Sequence, residues 1–315
     1  MSLSLVFILA FEELVNGKTS GADSLTLIAE IDVGCTLKDI MLNHKLTSNL
    51  SGVPETMLWT LHNRVSEAGR DDGILHDPEA VRIYQALDYN YEKAFGPAEP
   101  TQAVRSAMFD AELREFLDHY PNGIIVNLAE GLETQRYRVD GDEALWLSVD
   151  LPEAIAIRER FIAPDDKHLH VALSALNRKW FDEVPEERPV YITAQGLLMY
   201  LHEEEVRLLL QDLAERFPGA WFTFDTIPKW LSRKTVKRGW KKTPYYTTPK
   251  MPWGINRHQI APILRAWVPS LHEITELQWW RFPRGVGRWL FPLMFATPIL
   301  NRYAPPVIIR VRFKR

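Results

Sequence analysis

Asp150 is the side chain whose type and position first point to chemistry. It ends the apolar run Leu-Trp-Leu-Ser-Val-Asp at 145–150 and lies about 20 residues after a turn that contains Gly131. A tight turn after one strand and a carboxylate at the tip of the next can hold a nucleoside, because the carboxylate accepts hydrogen bonds from ribose hydroxyls. The same aspartate could instead only cap a helix that Pro152 begins.

Strand and helix patterns alternate around this residue and predict the frame that positions it. Short apolar runs are typical of buried parallel strands. One begins at Ile124 and ends in the turn that contains Gly131, and others occur at 145–150, 168–173, 189–194 and 220–225. Their alternation with helical patterns predicts an α/β fold with a doubly wound, mostly parallel sheet.

Two later runs, 271–279 and 307–313, add an antiparallel pair and bring the sheet to seven strands. The second run alternates apolar and polar residues, which predicts a strand near the edge of the sheet.

The domain organisation follows from the same patterns. Residues 1–50 give mixed signals and are left as an extension without an assigned role. Residues 51–122 predict N-terminal helices, 123–226 a cofactor-binding core, and 227–315 a basic, aromatic lid with the last two strands.

The composition excludes several classes of site. The single cysteine, Cys35, excludes an internal disulfide and a cysteine-based zinc site, and it fits a reducing cytoplasm. The nine histidines show no metal-binding spacing, so we expect no metal. The apolar run at 3–11 is too short to span a bilayer and has no basic segment before it, so we expect neither a transmembrane segment nor a secretory signal.

Charge is distributed unevenly along the chain. From Ile227 onward there are 18 of the 37 Lys and Arg residues but only two of the 41 acidic residues, Glu273 and Glu276. This basic segment could balance the acidic remainder of the fold, or it could attract an anionic small-molecule substrate. No RNA- or DNA-binding motif accompanies the charge, so nucleic acid is not an expected partner. The sequence does not indicate the oligomeric state.

Three segments resemble one enzyme family. They are Val126–Thr134 (Val-Asn-Leu-Ala-Glu-Gly-Leu-Glu-Thr), Val149–Pro152 (Val-Asp-Leu-Pro) and Ala194–Leu201 (Ala-Gln-Gly-Leu-Leu-Met-Tyr-Leu). They resemble the leucine carboxyl methyltransferase family, and within it the bacterial branch related to polyketide O-methyltransferases. The resemblance covers roughly 54–315. It implies a class I, Rossmann-like methyltransferase fold that uses S-adenosylmethionine to methylate an oxygen of a small molecule.

The resemblance also implies roles for individual residues. Arg105 would pair with the methionine carboxylate of the cofactor, and Asp150 would hold the ribose hydroxyls. The turn 129–131 would pass under the methionine part, 175–176 would flank the adenine, and Gln195 would lie beside the methionine amino group and the sulfonium. The cofactor-binding residues implied are Arg105, Ala129, Glu130, Gly131, Asp150, Leu151, Ala175, Leu176 and Gln195. Asn63 or Arg64 would supply a further polar contact.

Three positions depart from the family pattern. The family commonly has Gly-x-Gly in the first turn, whereas this chain has Ala129, so the backbone there would stand slightly further from the ligand. Gln195 stands where an acidic residue is often found, and Ala175 stands in place of a carboxylate beside the adenine. Backbone groups and amides can still bind the cofactor at these places.

The methyl acceptor depends on whether the site contains a general base. A carboxylate acceptor is ionised at neutral pH and needs no base, whereas a phenol or an alcohol needs one. Asp225 at a strand tip is the positioned candidate and Tyr200 is a weaker one; His202 and His258 are weaker still. Because no base is compelling, the sequence favours a carboxylate or an acidic hydroxyl as the acceptor.

Three alternatives remain open. Asp150 would serve a nicotinamide-dependent oxidoreductase equally well, although the first turn lacks the glycines of a dinucleotide site. The departures at Ala129, Ala175 and Gln195 would also suit a non-catalytic protein that binds S-adenosylmethionine. Finally, the Arg- and Trp-rich run at 279–291 suits a peripheral membrane protein, although Pro and Gly within it argue against an amphipathic helix.

Overall fold

The computed structural model describes residues 46–47, 52–277, 282–303 and 305–315. Leu46 to Arg315 belong to one compact unit. The expected extension at 1–50 falls almost entirely outside the described residues, and the predicted domain boundaries stay predictions.

A seven-stranded sheet forms the centre of this unit. Two short strands, β1 and β2, pair with each other, and β8 pairs with β9. The strands are β1 Leu46–Thr47, β2 Leu87–Asp88, β3 Ile124–Leu128, β4 Leu145–Asp150, β5 His168–Ala172, β6 Val190–Ala194, β7 Trp221–Thr226, β8 Trp240–Lys241, β9 Thr247–Thr248, β10 Leu271–Leu277 and β11 Val307–Phe313.

The order of strands in the large sheet is β10-β11-β7-β6-β3-β4-β5. The strands from β7 to β5 are parallel, and β11 and β10 run antiparallel to their neighbours. After β3 the chain proceeds outward to β4 and β5 and then returns to place β6 on the other side of β3. The chain therefore leaves β3 and β6 in opposite directions, which opens a crevice at their carboxyl ends. The predicted α/β, doubly wound, seven-stranded sheet is confirmed.

Ten α-helices are found in the described residues. They are α1 Thr56–Ala68, α2 Pro78–Ala86, α3 Tyr91–Phe95, α4 Thr101–His119, α5 Pro152–Arg158, α6 Glu203–Arg216, α7 Lys229–Arg238, α8 Ile260–Trp267, α9 Gly287–Ala296 and α10 Pro298–Tyr303. Asp77 caps α2 by accepting a hydrogen bond from the Ala80 N–H, and Pro78 begins that helix. No helix of the described residues is long and apolar enough to cross a membrane.

The last strand lies near an edge of the sheet, as predicted, and is second from that edge. β11 lies between β10 and β7, and β10 is the edge strand. The polar residues of β11 include Arg310, which is buried and pairs with Glu112 and Glu115 of α4. On the same strand Ile308 packs with Val104, Met108 and Phe109 of that helix. The alternation therefore reflects ion pairs beneath a helix and not contact with water.

The basic C-terminal segment contains helices that its sequence concealed. α7 carries Lys and Arg on most of its turns, and α9 is helical although Pro292 lies within it. The expectation that Pro and Gly would prevent a helix in the run 279–291 is therefore wrong for the part from Gly287 onward. Residues 278–281 of that run lie outside the described residues.

Candidate active site

A pocket of about 490 Å³ lies at the carboxyl ends of the parallel strands. Its lining includes all nine residues that the resemblance implied for cofactor binding and two of the four candidates for catalysis, whereas His202 and His258 are not part of it. The lining residues in question are Arg105, Ala129, Glu130, Gly131, Asp150, Leu151, Ala175, Leu176, Gln195, Tyr200 and Asp225. The fold thus brings these eleven residues to one place, whereas their individual roles stay predictions.

Asp150 ends β4 with both carboxylate oxygens fixed by the backbone. Oδ2 accepts a hydrogen bond from the Gly131 N–H at 2.8 Å, and Oδ1 accepts one from the Leu151 N–H at 2.7 Å. Burial raises the pKa of Asp150, and the two backbone hydrogen bonds oppose that rise. Each oxygen of a carboxylate has two lone pairs, so each retains one acceptor direction for two vicinal hydroxyls. Asp150 is not the cap of α5, whose N-cap residue is Leu151, and it holds the turn after β3 instead.

The turn after β3 has left-handed backbone at two residues, Ala129 and Gly131, both with φ of 54°. Two buried arginines hold this turn through its carbonyls. Arg64 Nη2 donates to the Leu132 oxygen at 2.7 Å, and Arg158 Nη1 donates to the Gly131 oxygen at 2.9 Å. The turn is therefore fixed from both sides before any ligand binds.

Glu133 connects this turn to the N-terminal helices. Arg138 Nη1 lies 2.7 Å from its Oε1, and Arg64 Nη1 lies 3.2 Å from its Oε2. Burial alone would raise the pKa of Glu133, but the two guanidinium groups outweigh burial and hold that pKa well below its usual range. Arg138 also pairs with Asp77 and Asp110. The side chain that lines the pocket is therefore a permanently charged structural group.

Glu130 lines the pocket but directs its carboxylate toward other protein groups. Its Oε1 accepts from Asn127 Nδ2 at 3.0 Å and lies 3.0 Å from Arg158 Nη2, and its Oε2 accepts from the Ser148 hydroxyl. Burial raises its pKa, and Arg158 and Ser148 oppose the rise. The backbone of Glu130, and not its carboxylate, is thus the part available to a ligand.

Arg105 and Asp225 form an ion pair at the base of the pocket. Arg105 Nη1 lies 3.0 Å from Asp225 Oδ2, and Asp225 Oδ1 accepts from the Gly196 N–H at 2.6 Å. The left-handed Gly196, with φ of 70°, allows this approach, because a Cβ there would lie 3.0 Å from Arg105 Nη1. Arg105 Nε is buried and has no hydrogen-bond partner among the described residues.

The far wall of the pocket comes from residues 227–251, which we call the C-terminal side. Its apolar members Ile227, Leu231 and Met251 pack with Met199 and Tyr200. Burial raises the pKa of Tyr200 to about 12, so its hydroxyl is protonated at neutral pH and can donate a hydrogen bond.

Lys242 is the cation that the C-terminal side contributes to the lining of the pocket. Its Nζ lies 5.0 Å from the ring centroid of Trp59 and 5.5 Å from that of Trp240, within the range of cation–π attraction. Its acidic partner is the exposed Glu99, at 3.6 Å. By contrast, Arg64 and Arg105, which also line the pocket, are each paired with a buried carboxylate.

A comparison with protein families fits this geometry. The model of the family described as leucine carboxyl methyltransferase matches residues 58–214, about half of the chain. The matched part contains most of α1, all of α4 and the strand tips next to Asp150 and Gln195.

The chain belongs to the leucine carboxyl methyltransferase family. The interpretation of the sequence as an S-adenosylmethionine-dependent methyltransferase of this family is thereby confirmed, and the oxidoreductase alternative is not supported.

Two curated relatives of this methyltransferase each match more than half of the chain. It is 29% identical over 190 residues to the tetracenomycin polyketide synthesis O-methyltransferase TcmP of Streptomyces glaucescens. The aligned region covers 59% of this chain and 70% of that protein. It is 25% identical over 186 residues to the S-adenosyl-L-methionine-dependent methyltransferase dpfgK of Gibberella zeae. The aligned region covers 53% of this chain and 62% of that protein.

Solved structures are more distant. One is that of the N-methyltransferase NodS from Bradyrhizobium japonicum in complex with S-adenosyl-L-homocysteine, at 13% identity and a TM-score of 0.42. The match covers 81% of this chain and 99% of that chain. A likeness this distant supports no argument about the site.

The first departure from the family pattern has a structural consequence in this methyltransferase. Ala129 adopts the left-handed conformation that glycine favours, so the turn follows that path despite its Cβ. At the second departure, Gln195 Oε1 lies 3.3 Å from the hydroxyl of Ser106, which also donates to Glu133 at 2.9 Å. At the third, Ala175 and the neighbouring Ser174 both line the pocket.

Sequence reasoning missed the contacts that depend on tertiary structure. It treated Arg105 and Asp225 as separate candidates, although they are 120 positions apart and form one pair. It counted Lys242 only as part of a basic segment. It left the choice between Asn63 and Arg64 open, and in the structure it is Arg64 that lines the pocket. Within the described residues no cluster of three or more His, Cys, Asp or Glu could hold a metal ion.

Proposed function

We propose that this methyltransferase transfers a methyl group to an ionised oxygen, a carboxylate or an acidic hydroxyl, of an apolar and anionic small molecule. The observation that carries the proposal is the state of the titratable groups in the pocket. Each of its carboxylates has a partner, and its tyrosine is protonated at neutral pH. An acceptor that is already ionised suits such a site, because it requires no proton transfer.

The strand tips suit the cofactor. Asp150 retains acceptor directions for the two ribose hydroxyls, and the buried Arg105 Nε suits the methionine carboxylate, because a buried donor without a partner is costly unless a ligand satisfies it. When bound, S-adenosylmethionine supplies an electrophilic methyl group on a sulfonium. The chain's own contribution is to bind and orient the two reactants and to exclude water.

Asp225 is poorly suited to act as a general base. One of its oxygens is paired with Arg105 and the other accepts the Gly196 N–H. Both contacts hold the carboxylate against other groups of the protein. The pair instead fixes the guanidinium that we assign to the cofactor, so Asp225 is a positioning residue in this proposal.

The acceptor would occupy the space beside the C-terminal side. Ile227, Leu231 and Met251 offer apolar surface, and Trp240 offers an aromatic ring. Lys242 offers a positive charge whose acidic partner in the structure is exposed and therefore weakly held. Aromatic acids of the polyketide type match this combination and are natural first probes, since one relative is a polyketide O-methyltransferase.

A labelling experiment tests the reaction type. The protein is incubated with S-adenosylmethionine carrying a labelled methyl group and a panel of aromatic acids, phenols and amines, each paired with a blocked analogue. A methyl ester releases labelled methanol in mild base, whereas methyl ethers and N-methyl products do not. Base-labile or ether-linked product supports the proposal, and N-methylation alone contradicts it.

The pH profile separates the two kinds of oxygen acceptor. A carboxylate has a pKa near 4, so its saturated rate should be flat from about pH 6 to 9. A hydroxyl of pKa near 10 would instead give a rate that rises about tenfold per pH unit in that range, because no protein group removes its proton. A flat profile with an ordinary phenol or alcohol would mean that a base exists and that the proposal is wrong.

A further inference from the structure

The chain between β10 and β11 forms a pair of helices with an apolar outer surface. Val286, Trp289, Leu290 and Leu293 follow the spacing i, i+3, i+4 and i+7, so they lie along one side of α9. Their exposed fractions are 78%, 74%, 45% and 57%, and Ile299 of α10 is 74% exposed. We call these five residues the outer stripe.

The other side of α9 attaches the helix to the protein. Phe291 stacks on Phe282 with ring centroids 4.5 Å apart, and the guanidinium of Arg257 lies 5.4 Å from the Phe295 ring. The outer stripe is therefore not needed to hold α9 in place. Singly exposed apolar side chains are common on proteins, but a continuous group of this kind marks a surface that contacts something else.

The sequence around the outer stripe carries only positive charges. From Leu277 to Arg315 the sequence has eight Lys and Arg residues and no Asp or Glu. The guanidinium of Arg288 lies over the ring of Trp289 at 5.4 Å, and that of Arg302 lies over Tyr303 at 5.9 Å. Exposed Trp and Leu beside Arg are typical of helices that lie in the interface of an anionic bilayer. Two copies of this face would bring like charges together, which disfavours self-association.

The helices that carry the outer stripe connect β10 to β11 at the end of the sheet where the pocket lies. β11 begins at Val307, which pairs with Thr226 at the carboxyl end of β7. Thr226 and Pro306 both line the pocket. A surface bound through α9 and α10 would thus lie near the site that takes an apolar acceptor.

We propose that α9 and α10 are a docking surface for anionic lipid bilayers. Trp289, Leu293 and Ile299 enter the headgroup region, and Arg288 and Arg302 contact lipid phosphates. The helices lie on the bilayer and do not cross it, because α9 has only ten residues. This inference concerns where the protein works and does not depend on the identity of the methyl acceptor.

Vesicle co-sedimentation of the full chain tests the proposal. Vesicles of phosphatidylcholine alone are compared with vesicles that also contain phosphatidylserine, and the wild type should bind the second kind more tightly. The double variant Trp289→Ser/Leu293→Ser should bind them at least about tenfold more weakly, since two large apolar side chains no longer leave water. The variant Arg288→Gln/Arg302→Gln should lose most of the preference for phosphatidylserine.

Leu208→Ser on α6 is the matched control, because Leu208 is 43% exposed and lies on a different helix. It should bind vesicles as the wild type does. Calorimetry with S-adenosylmethionine should give wild-type affinity for every variant, which shows that each is folded. The proposal is overturned if the wild type binds neither kind of vesicle or if the double variant binds as tightly as the wild type. It is also overturned if light scattering shows a dimer that the double variant abolishes, because the stripe would then face a second copy.

Discussion

The two walls of the pocket are built on different principles. At the strand tips, charged groups are buried and joined to one another or to backbone, as in Asp150 with two N–H groups and Arg105 with Asp225. On the C-terminal side, apolar side chains such as Leu231 and Met251 surround one cation, Lys242, whose acidic partner is exposed. The first wall is rigid before a ligand arrives, and the second has a charge that can change partners.

This difference separates two tasks. A polar cofactor with fixed hydroxyl and carboxylate groups needs partners held in place, because reorienting them on binding would reduce affinity. An apolar acceptor needs surface of the right shape and one group that recognises its charge. We therefore expect substitutions at the strand tips to change cofactor affinity and substitutions at Lys242 to change the use of the acceptor.

The largest effect is expected for Asp150→Ala. Two ribose hydroxyls would lose a charged acceptor, and the Gly131 N–H would lose its partner, so S-adenosylmethionine affinity should fall by about 3 kcal/mol. Calorimetry on the folded variant measures the loss. Asp165→Ala is a suitable control, because that carboxylate is half exposed and pairs with Arg136. Unchanged affinity in the Asp150 variant would remove this residue from the cofactor site.

Arg105→Met should have the next largest effect, a loss of about 2 kcal/mol in S-adenosylmethionine affinity. Methionine keeps the length of the side chain but cannot pair with a carboxylate. Adenosine has no methionine carboxylate, so its affinity should change much less. If both ligands lose affinity equally in calorimetry, then Arg105 only supports the pocket through Asp225, and the strand-tip wall extends less far than we propose.

Lys242→Met should change the C-terminal side, the wall of the pocket that we assign to the acceptor. With an identified anionic acceptor, KM should rise about tenfold while kcat changes little and S-adenosylmethionine affinity stays the same, because one partly buried charge pair is lost. Lys242→Arg should have a KM close to that of the wild type, since it keeps the charge. A fall in kcat with no change in KM would show that Lys242 takes part in the reaction and not in recognition.

The sequence predicted the strand-tip wall far better than the C-terminal side, and the reason is physical. Asp150 and Gly131 are positioned by a buried strand and a turn, both of which leave local patterns. Lys242 is positioned by the short pair β8 and β9 and by rings from distant elements, and no local pattern encodes that. The ion pair of Arg310 on β11 was missed for the same reason, since only tertiary structure reveals that Glu112 neutralises it.

Neutralising charges of the basic segment that begins at Ile227 should have a smaller effect on the use of the acceptor. Part of its charge is balanced, since Arg257, Arg284 and Arg310 pair with acidic residues. The exposed charges of α7 could still steer an anionic acceptor toward Lys242. Neutralising Lys234, Lys237 and Arg238 together should lower kcat/KM severalfold at low salt and leave it unchanged at high salt, where charges are screened. A salt dependence equal to that of the wild type would show that α7 does not steer.

The smallest expected effect tests how firmly the strand-tip wall is held. Ala129 has φ of 54°, a conformation that costs a residue with a Cβ roughly 1–2 kcal/mol. Hydrogen bonds to the carbonyls of Gly131 and Leu132 keep the turn in this form.

Ala129→Gly should therefore stabilise the protein by up to about 1 kcal/mol, after the greater freedom of glycine in the unfolded chain is subtracted. The midpoint of thermal unfolding without ligand should rise by about 2–4 °C. Ala214→Gly in α6 is the control and should lower the midpoint, because glycine weakens an ordinary helix by about 1 kcal/mol. If the two variants destabilise the protein equally, then Ala129 carries no strain, and the fixed geometry of this wall must be attributed to its ion pairs alone.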